Sequence, residues 1–239
     1  MVEIGPGEGA LTTPLGSLVR TLIAVDLDQR VIRQLETAHP AGPVRFLHQD
    51  FLTVNLTAWA VQYGCRLRIA GNIPYNITSP ILFHLLDHRT AVKDATIMMQ
   101  REVAQRLVAR PGSKDYGILS VFFQLFADIT LLFDVSPNSF YPKPQVISSV
   151  VRLTFLHTPR YEVVDEHFFR TMVRSVFGKR RKTLRNSLAG VVDTPEALLP
   201  ASFDLQKRPE ALTVQQLVEL GNFLCVHLRR ASSHHLPAT

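Results

Sequence analysis

The chain has 239 residues, 46% hydrophobic and 19% charged, which suits one large domain or a medium and a small one and excludes a disordered chain. It lacks any run of about 18 apolar residues, a basic-plus-apolar leader, and cysteines at metal-ligand spacing. We therefore expect a cytoplasmic protein with no membrane span and no metal, in which Cys65 and Cys225 are reduced structural thiols. The net charge of +6 is compatible with a polyanionic partner, and its distribution along the chain matters more than its size.

The sequence opens inside an element. Met1, Val2, Glu3 and Ile4 read as the last residues of a buried strand, so an N-terminal truncation is expected. Gly5, Gly7 and Gly9 follow as Gly-x-Gly-x-Gly and turn into a helix; this spacing differs from the Gly-x-Gly-x-x-Gly of dinucleotide sites. A second buried strand over 22–25 ends at Asp26 and Leu27. Asp26 lies 21 residues after Gly5, where an acid can hold a ribose diol or simply be a solvated strand end. The spacing of Val31, Ile32 and Leu35 predicts a helix over 29–38, and a third strand covers 44–47. Asp50 after it can accept from an adenine amino group with Phe51 against the ring, or it can be a helix cap.

A fourth strand over 67–70 leads into Asn72, Ile73, Pro74 and Tyr75. The Asn72 amide and the Ile73 carbonyl, stiffened by Pro74, form an acceptor pair beside the flat face of Tyr75. That combination suits a planar base with an exocyclic amine; the alternative is a proline-braced turn with a buried tyrosine. The candidate ligand groups thus fall at the carboxyl ends of successive strands, where open α/β sheets bind ligands. Thr78 or Ser79 is expected to cap the next helix, with Pro80 in its first turn.

Further on, a strand over 95–99, a helix over 100–109, a helix over 118–126 and a strand over 129–133 are expected. Between the helices lies a polar loop containing Lys114, either a contact for a large substrate or a plain surface loop. A proline-rich loop over 137–144 precedes a strand over 148–155. In it Phe140 or Tyr141 either covers the second face of a base held by Tyr75 or packs into the core.

The strand pattern stops near 157, placing one domain over 1–157 and a small all-α domain over 158–230. Apolar residues from Phe168 to Phe177 mark a helix that Gly178 ends or kinks. Arg174, Lys179, Arg180, Arg181, Lys182 and Arg185 then follow with no acid between them, matching the whole charge excess. The segment over 179–188 reads as helical, either a phosphate-binding element or a solvated basic helix. Thr213 and Gln216 form a capping box for a last helix over 214–228, and 231–239 reads as a disordered tail.

In order and spacing, Glu3 to Gly7, Asp26, Asp50, Asn72 to Asn76, Ser113 to Gly117 and Arg180 to Asn186 resemble the small-subunit rRNA adenine dimethyltransferases of the KsgA type. The resemblance extends to about Leu228. It implies a Rossmann-like class I methyltransferase sheet with a helical C-terminal domain, S-adenosylmethionine as cofactor, and N6,N6-dimethylation of two adjacent adenosines in the 3′-terminal hairpin of small-subunit rRNA. The substrate would be met within an assembling ribosomal subunit by a monomeric enzyme.

By position, Glu3, Gly5, Gly7, Asp26, Leu27, Asp50, Phe51 and Asn72 would serve the cofactor. Asn72, Ile73, Pro74, Tyr75 and Phe140 would form the catalytic pocket. Lys114, Arg174, Lys179, Arg180, Arg181, Lys182 and Arg185 would hold RNA. Three features depart from the family pattern: the leading Asn-Phe-Leu segment is absent, Asp26 stands where Glu is commoner, and Ile147 stands where Asp is usual. A relative acting on large-subunit rRNA, or a non-catalytic RNA-binding assembly factor, are the alternative readings.

Overall fold

The computed structural model describes residues 1–39, 42–179, 182–192, 195, 199–200 and 203–233. In chain order the elements are β1 (Val2–Ile4), α1 (Thr12–Leu18), β2 (Leu22–Asp26), α2 (Gln29–Ala38), β3 (Val44–His48), α3 (Leu56–Tyr63), β4 (Leu67–Asn72) and α4 (Thr78–Asp87). They continue with β5 (Val92–Gln100), α5 (Arg101–Val108), α6 (Ile118–Phe126), β6 (Ala127–Val135), β7 (Ser148–Phe155), α7 (Glu166–Gly178), α8 (Leu184–Leu188) and α9 (Val214–Ser233). The chain divides into two units, Met1–Ala104 with Phe126–His157, and Gln105–Leu125 with Thr158–Thr239.

The first unit is a seven-stranded sheet in the order β3-β2-β1-β4-β5-β7-β6. The five strands from β3 to β5 are parallel, while β7 runs antiparallel to both β5 and β6. Strands covered on both faces read as continuous apolar runs, and β1 and β2 do so: Val2, Ile4 and Leu22 to Val25 are all buried. The edge strand β3 instead alternates half-buried and exposed residues. Chain order reverses between β1 and β4, and Ile4 pairs with Val25 on one side and Gly71 on the other. A side chain at Gly71 would put its Cβ 3.0 Å from the Ile4 carbonyl oxygen, so glycine is what lets these two strand ends meet.

In the second unit Phe169, Met172, Val173, Val176 and Phe177 form the buried face of α7. Tyr116 and Phe122 meet Phe177 and Phe169 edge-on, which ties 105–125 to this helix. Gly221 of α9 sits so close to α7 that a Cβ would fall 2.9 Å from Phe169 Cδ2.

Several expectations need correction. Neither Thr78 nor Ser79 caps α4; the residue ahead of it is Ile77, and the Thr78 hydroxyl bonds back to the Pro74 carbonyl at 3.4 Å inside a short 3-10 turn over Tyr75–Ile77. Among its described residues the basic segment is helical only from Leu184. Thr183 is extended (φ −66°, ψ 164°), and the first helical donors are satisfied from outside, Leu184 N by Lys207 O at 2.7 Å and Arg185 N by Leu205 O at 3.0 Å. Arg180 and Arg181 lie outside the described residues. The last helix runs past 228 to Ser233, so 231–233 are helix rather than tail; no glycine or proline interrupts the chain there. Helix α3 was not expected at all. Its ends are built by Asn55, whose side chain accepts from Ala58 N, and by Gly64 in the left-handed conformation.

Candidate active site

Parallel register aligns the ends of β1, β2, β3 and β4, and the expected ligand groups lie at those ends or just past them. Gly5, Gly7 and Gly9 all have left-handed φ (65°, 54° and 86°), the conformation for which glycine is suited. Gly5 N donates to Val25 O, and a Cβ at Gly5 would lie 3.7 Å from the Asn72 carbonyl oxygen, so the glycine loop passes beside the end of β4. Around Gly7 nothing stands within 4 Å of a Cβ position, leaving open space over the loop.

Glu3 in β1 is 1% exposed and its Oε2 has no hydrogen-bond partner. Burial raises its carboxyl above the usual range; the Thr12 hydroxyl is near enough to offset part of that without making a bond of ordinary geometry. Asp26 is half-buried, and its Oδ1 accepts from Asp28 N at 2.8 Å. Leu27 beside it is 71% exposed, an apolar side chain held at the rim of the sheet. Asp50 caps the turn Phe51–Thr53 by accepting from Leu52 N with Oδ1, so the cap reading is realised with one carboxylate oxygen. Phe51 is buried and meets His84 edge-on at 5.3 Å; its ring is a core side chain under the rim rather than an open wall.

Beside this edge is a pocket of about 290 Å³. Asn72, Ile73, Pro74, Tyr75 and Phe140 all line it, so the structure brings together the five residues that the sequence marks as catalytic. Tyr141, Pro142 and Pro144 of the proline loop complete the wall. Asn72 is exposed, while the Ile73 side chain is 2% exposed and anchors the turn from below. The Tyr75 ring is half-buried, and its hydroxyl lies 2.7 Å from Ser148 Oγ.

Residues 1–224 match the profile of the Ribosomal RNA adenine dimethylase family. The chain belongs to that family. It is 43% identical over 223 residues to the ribosomal RNA small subunit methyltransferase A of Xylella fastidiosa strain Temecula1, covering 93% of this chain and 84% of the relative. To the protein of that name from Xanthomonas axonopodis pv. citri it is 45% identical over 226 residues, covering 94% and 82%. Among solved structures, a dimethyladenosine transferase from Plasmodium falciparum superposes with a TM-score of 0.74 at 24% identity, covering 97% of this chain and 90% of that one. The 23S rRNA methyltransferase ErmE gives a TM-score of 0.65 at 24% identity, covering 94% and 90%. These two similarities establish the methyltransferase fold.

In this dimethylase-family chain the expected RNA-binding residues that are described lie in the second unit. Lys114 is exposed in the loop between α5 and α6, Arg174 is exposed on α7, and Lys179, Lys182 and Arg185 are exposed from the end of α7 to the start of α8. A larger cavity, about 690 Å³, lies at the opposite edge of the sheet and is lined in part by Arg66 and Arg68. Those two cations serve the fold: Arg66 Nη2 donates to the carbonyls of Val92 and Phe155, and Arg68 Nε sits 3.0 Å from both oxygens of Asp94. Cys225 is buried as a structural thiol should be, but Cys65 is exposed. Among the described residues no helix is long and apolar enough to cross a membrane, and no cluster of three His, Cys, Asp or Glu has metal-binding geometry.

Pro142, Pro144 and Ser148 were not foreseen as parts of the site. Ser148 is 73 residues from Tyr75, and no spacing rule links them. Its place at the start of the strand that follows the proline loop was the one hint.

Proposed function

We propose that this chain methylates N6 of two adjacent adenosines in the 3′-terminal hairpin of small-subunit rRNA, with S-adenosylmethionine as donor, during subunit assembly in the cytoplasm. The observation that carries the reading is the pocket in which Asn72, Ile73, Pro74, Tyr75 and Phe140 converge, beside a glycine loop at the switch point of the sheet.

The residues around that loop fit the donor. Gly5 and Gly7 leave room for close approach, Glu3 offers a buried oxygen without a partner, and Asp26 offers a carboxylate suited to a ribose diol. Asp50, with one oxygen on Leu52 N, keeps acceptor capacity for an adenine amine, and Leu27 supplies apolar cover. When bound, S-adenosylmethionine supplies a methyl group already activated on a sulfonium.

What remains for the protein is to present the nitrogen. The lone pair of adenine N6 is delocalised into the ring, which makes it a poor nucleophile. In the first transfer the side-chain oxygen of Asn72 and the carbonyl of Ile73 accept its two hydrogens and favour a pyramidal nitrogen with an available lone pair. The proton shed on methylation passes to water, and one hydrogen remains for these acceptors in the second transfer. Tyr75 and Phe140 hold the two faces of the extruded base, offsetting part of the few kcal/mol that unstacking costs. Fixing base and donor in one geometry accounts for most of the acceleration. Lys114, Arg174, Lys179, Lys182 and Arg185, with Arg180 and Arg181 between them in sequence, bind phosphates and select folded rRNA by shape more than by sequence.

The test is incubation with small subunits that lack the modification, using labelled S-adenosylmethionine, followed by digestion to nucleosides. Label in N6,N6-dimethyladenosine is expected. No incorporation, or incorporation only into large-subunit RNA, contradicts the proposal.

A further inference from the structure

Tyr75 forms one wall of the pocket, and its hydroxyl is already engaged by Ser148 Oγ at 2.7 Å. Ser148 is 0% exposed and is the first residue of β7. Because β7 is antiparallel to its neighbours, that first residue pairs with Gln100, the last of β5, and with Val135, the last of β6. The reversed strand therefore delivers a buried hydroxyl to the edge where the parallel strands end.

Ser148 is itself held on both sides. Ser149 Oγ donates to Asp134 Oδ1 at 2.5 Å, the other oxygen of Asp134 lies 3.6 Å from Arg101 Nε, and Arg101 N donates to Ile147 O at 3.0 Å. Tyr75 is thus tied at two points, its main chain in the 3-10 turn over Tyr75–Ile77 and its hydroxyl on a braced strand. A hydrogen bond at the hydroxyl stops the ring from swinging about its first side-chain torsion, and the preference of a phenolic O–H for the ring plane resists turning about the second, whereas a half-exposed ring held only at its main chain is free about both.

We propose that Ser148 is a positioning residue for methyl transfer, fixing through the Tyr75 hydroxyl the position of the ring against which the target base lies. The inference rests on the proposed function, which gives that ring a base to hold. It divides the work of Tyr75: the face meets the substrate and the hydroxyl belongs to the scaffold. Phenylalanine at 75 would keep the stacking surface and lose its orientation.

Single-turnover methyl transfer into under-methylated small subunits, at saturating subunits and donor, tests this with Ser148→Ala, Tyr75→Phe and the double variant. Each single change should slow transfer about 10-fold, since displacement of a reacting group by about 1 Å can cost 100-fold. The double variant should be no slower than either single one, because both remove the same bond. Donor affinity by calorimetry should be unchanged in all three. Tyr75→Phe alters a half-exposed position and keeps the test valid if Ser148→Ala folds poorly. A full rate in Tyr75→Phe, multiplied losses in the double variant, or a lower melting temperature with an unchanged rate would each overturn the proposal. Tyr75→Ala separates the role of Ser148 from that of the pocket: if it also transfers at the full rate, the pocket assignment itself fails.

Discussion

Glu3, proposed above as a donor contact, shows how a buried carboxyl can burden the fold that holds it. Its carboxyl is buried in β1 with one unpartnered oxygen, and burial raises its pKa above the unfolded value. Between those two values the folded chain holds the proton more tightly than the unfolded chain does. Stability from this site is therefore fully present below the ordinary carboxylate range and is lost as pH rises through the raised value. Glu3→Gln should remove that loss: without donor, its melting temperature should exceed wild type by more at pH 7 than at pH 4. Equal margins at the two pH values would show that Glu3 carries no such penalty. The same change should weaken binding of the donor if Oε2 is one of its contacts. Asp26 and Asn72 were marked in the sequence by what their side chains can accept, and Glu3 by the family resemblance alone. The engagement of Tyr75 by Ser148 was not legible there, because a contact across 73 residues exists only once β7 is reversed.

Among the elements, those with a strong apolar period or an explicit cap were readable. The box at the start of α9 closes as the sequence suggests, with Thr213 N donating to Gln216 Oε1 at 3.0 Å and Gln216 N to Thr213 Oγ1 at 3.2 Å. Thr213→Ala should cost about 1 kcal/mol of stability, measured by denaturant unfolding, and no loss would mean the cap is replaceable by water. Helix α3 escaped because only Leu56 of its eight residues is buried, so no apolar stripe marks it; Asn55 and Gly64 were the available signals. The basic run misled in the opposite way. Leu184 and Leu188 suggested a helix reaching back to Lys179, but the main-chain donors at 184 and 185 are taken by residues 205 and 207, which lie beyond any local pattern.

At the scale of the whole molecule, the fold class followed from parallel strands alternating with helices, and the expectation of a ligand at the carboxyl ends of those strands followed from the class. The proposed RNA-binding role belongs to the unit that carries the basic cluster. Lys182→Glu with Arg185→Glu should weaken rRNA binding and lower its salt dependence by about one to two in the slope of log K against log salt, leaving donor affinity unchanged. Unaltered binding would assign that charge to solvation alone. The pocket is probed by methyl transfer into under-methylated small subunits with Asn72→Ala set against wild type. Loss of one of the two N6 acceptors should lower the single-turnover rate about 100-fold, a size typical of removing one preorganised polar contact to a reacting centre. Transfer by Asn72→Ala at the wild-type rate would contradict the account.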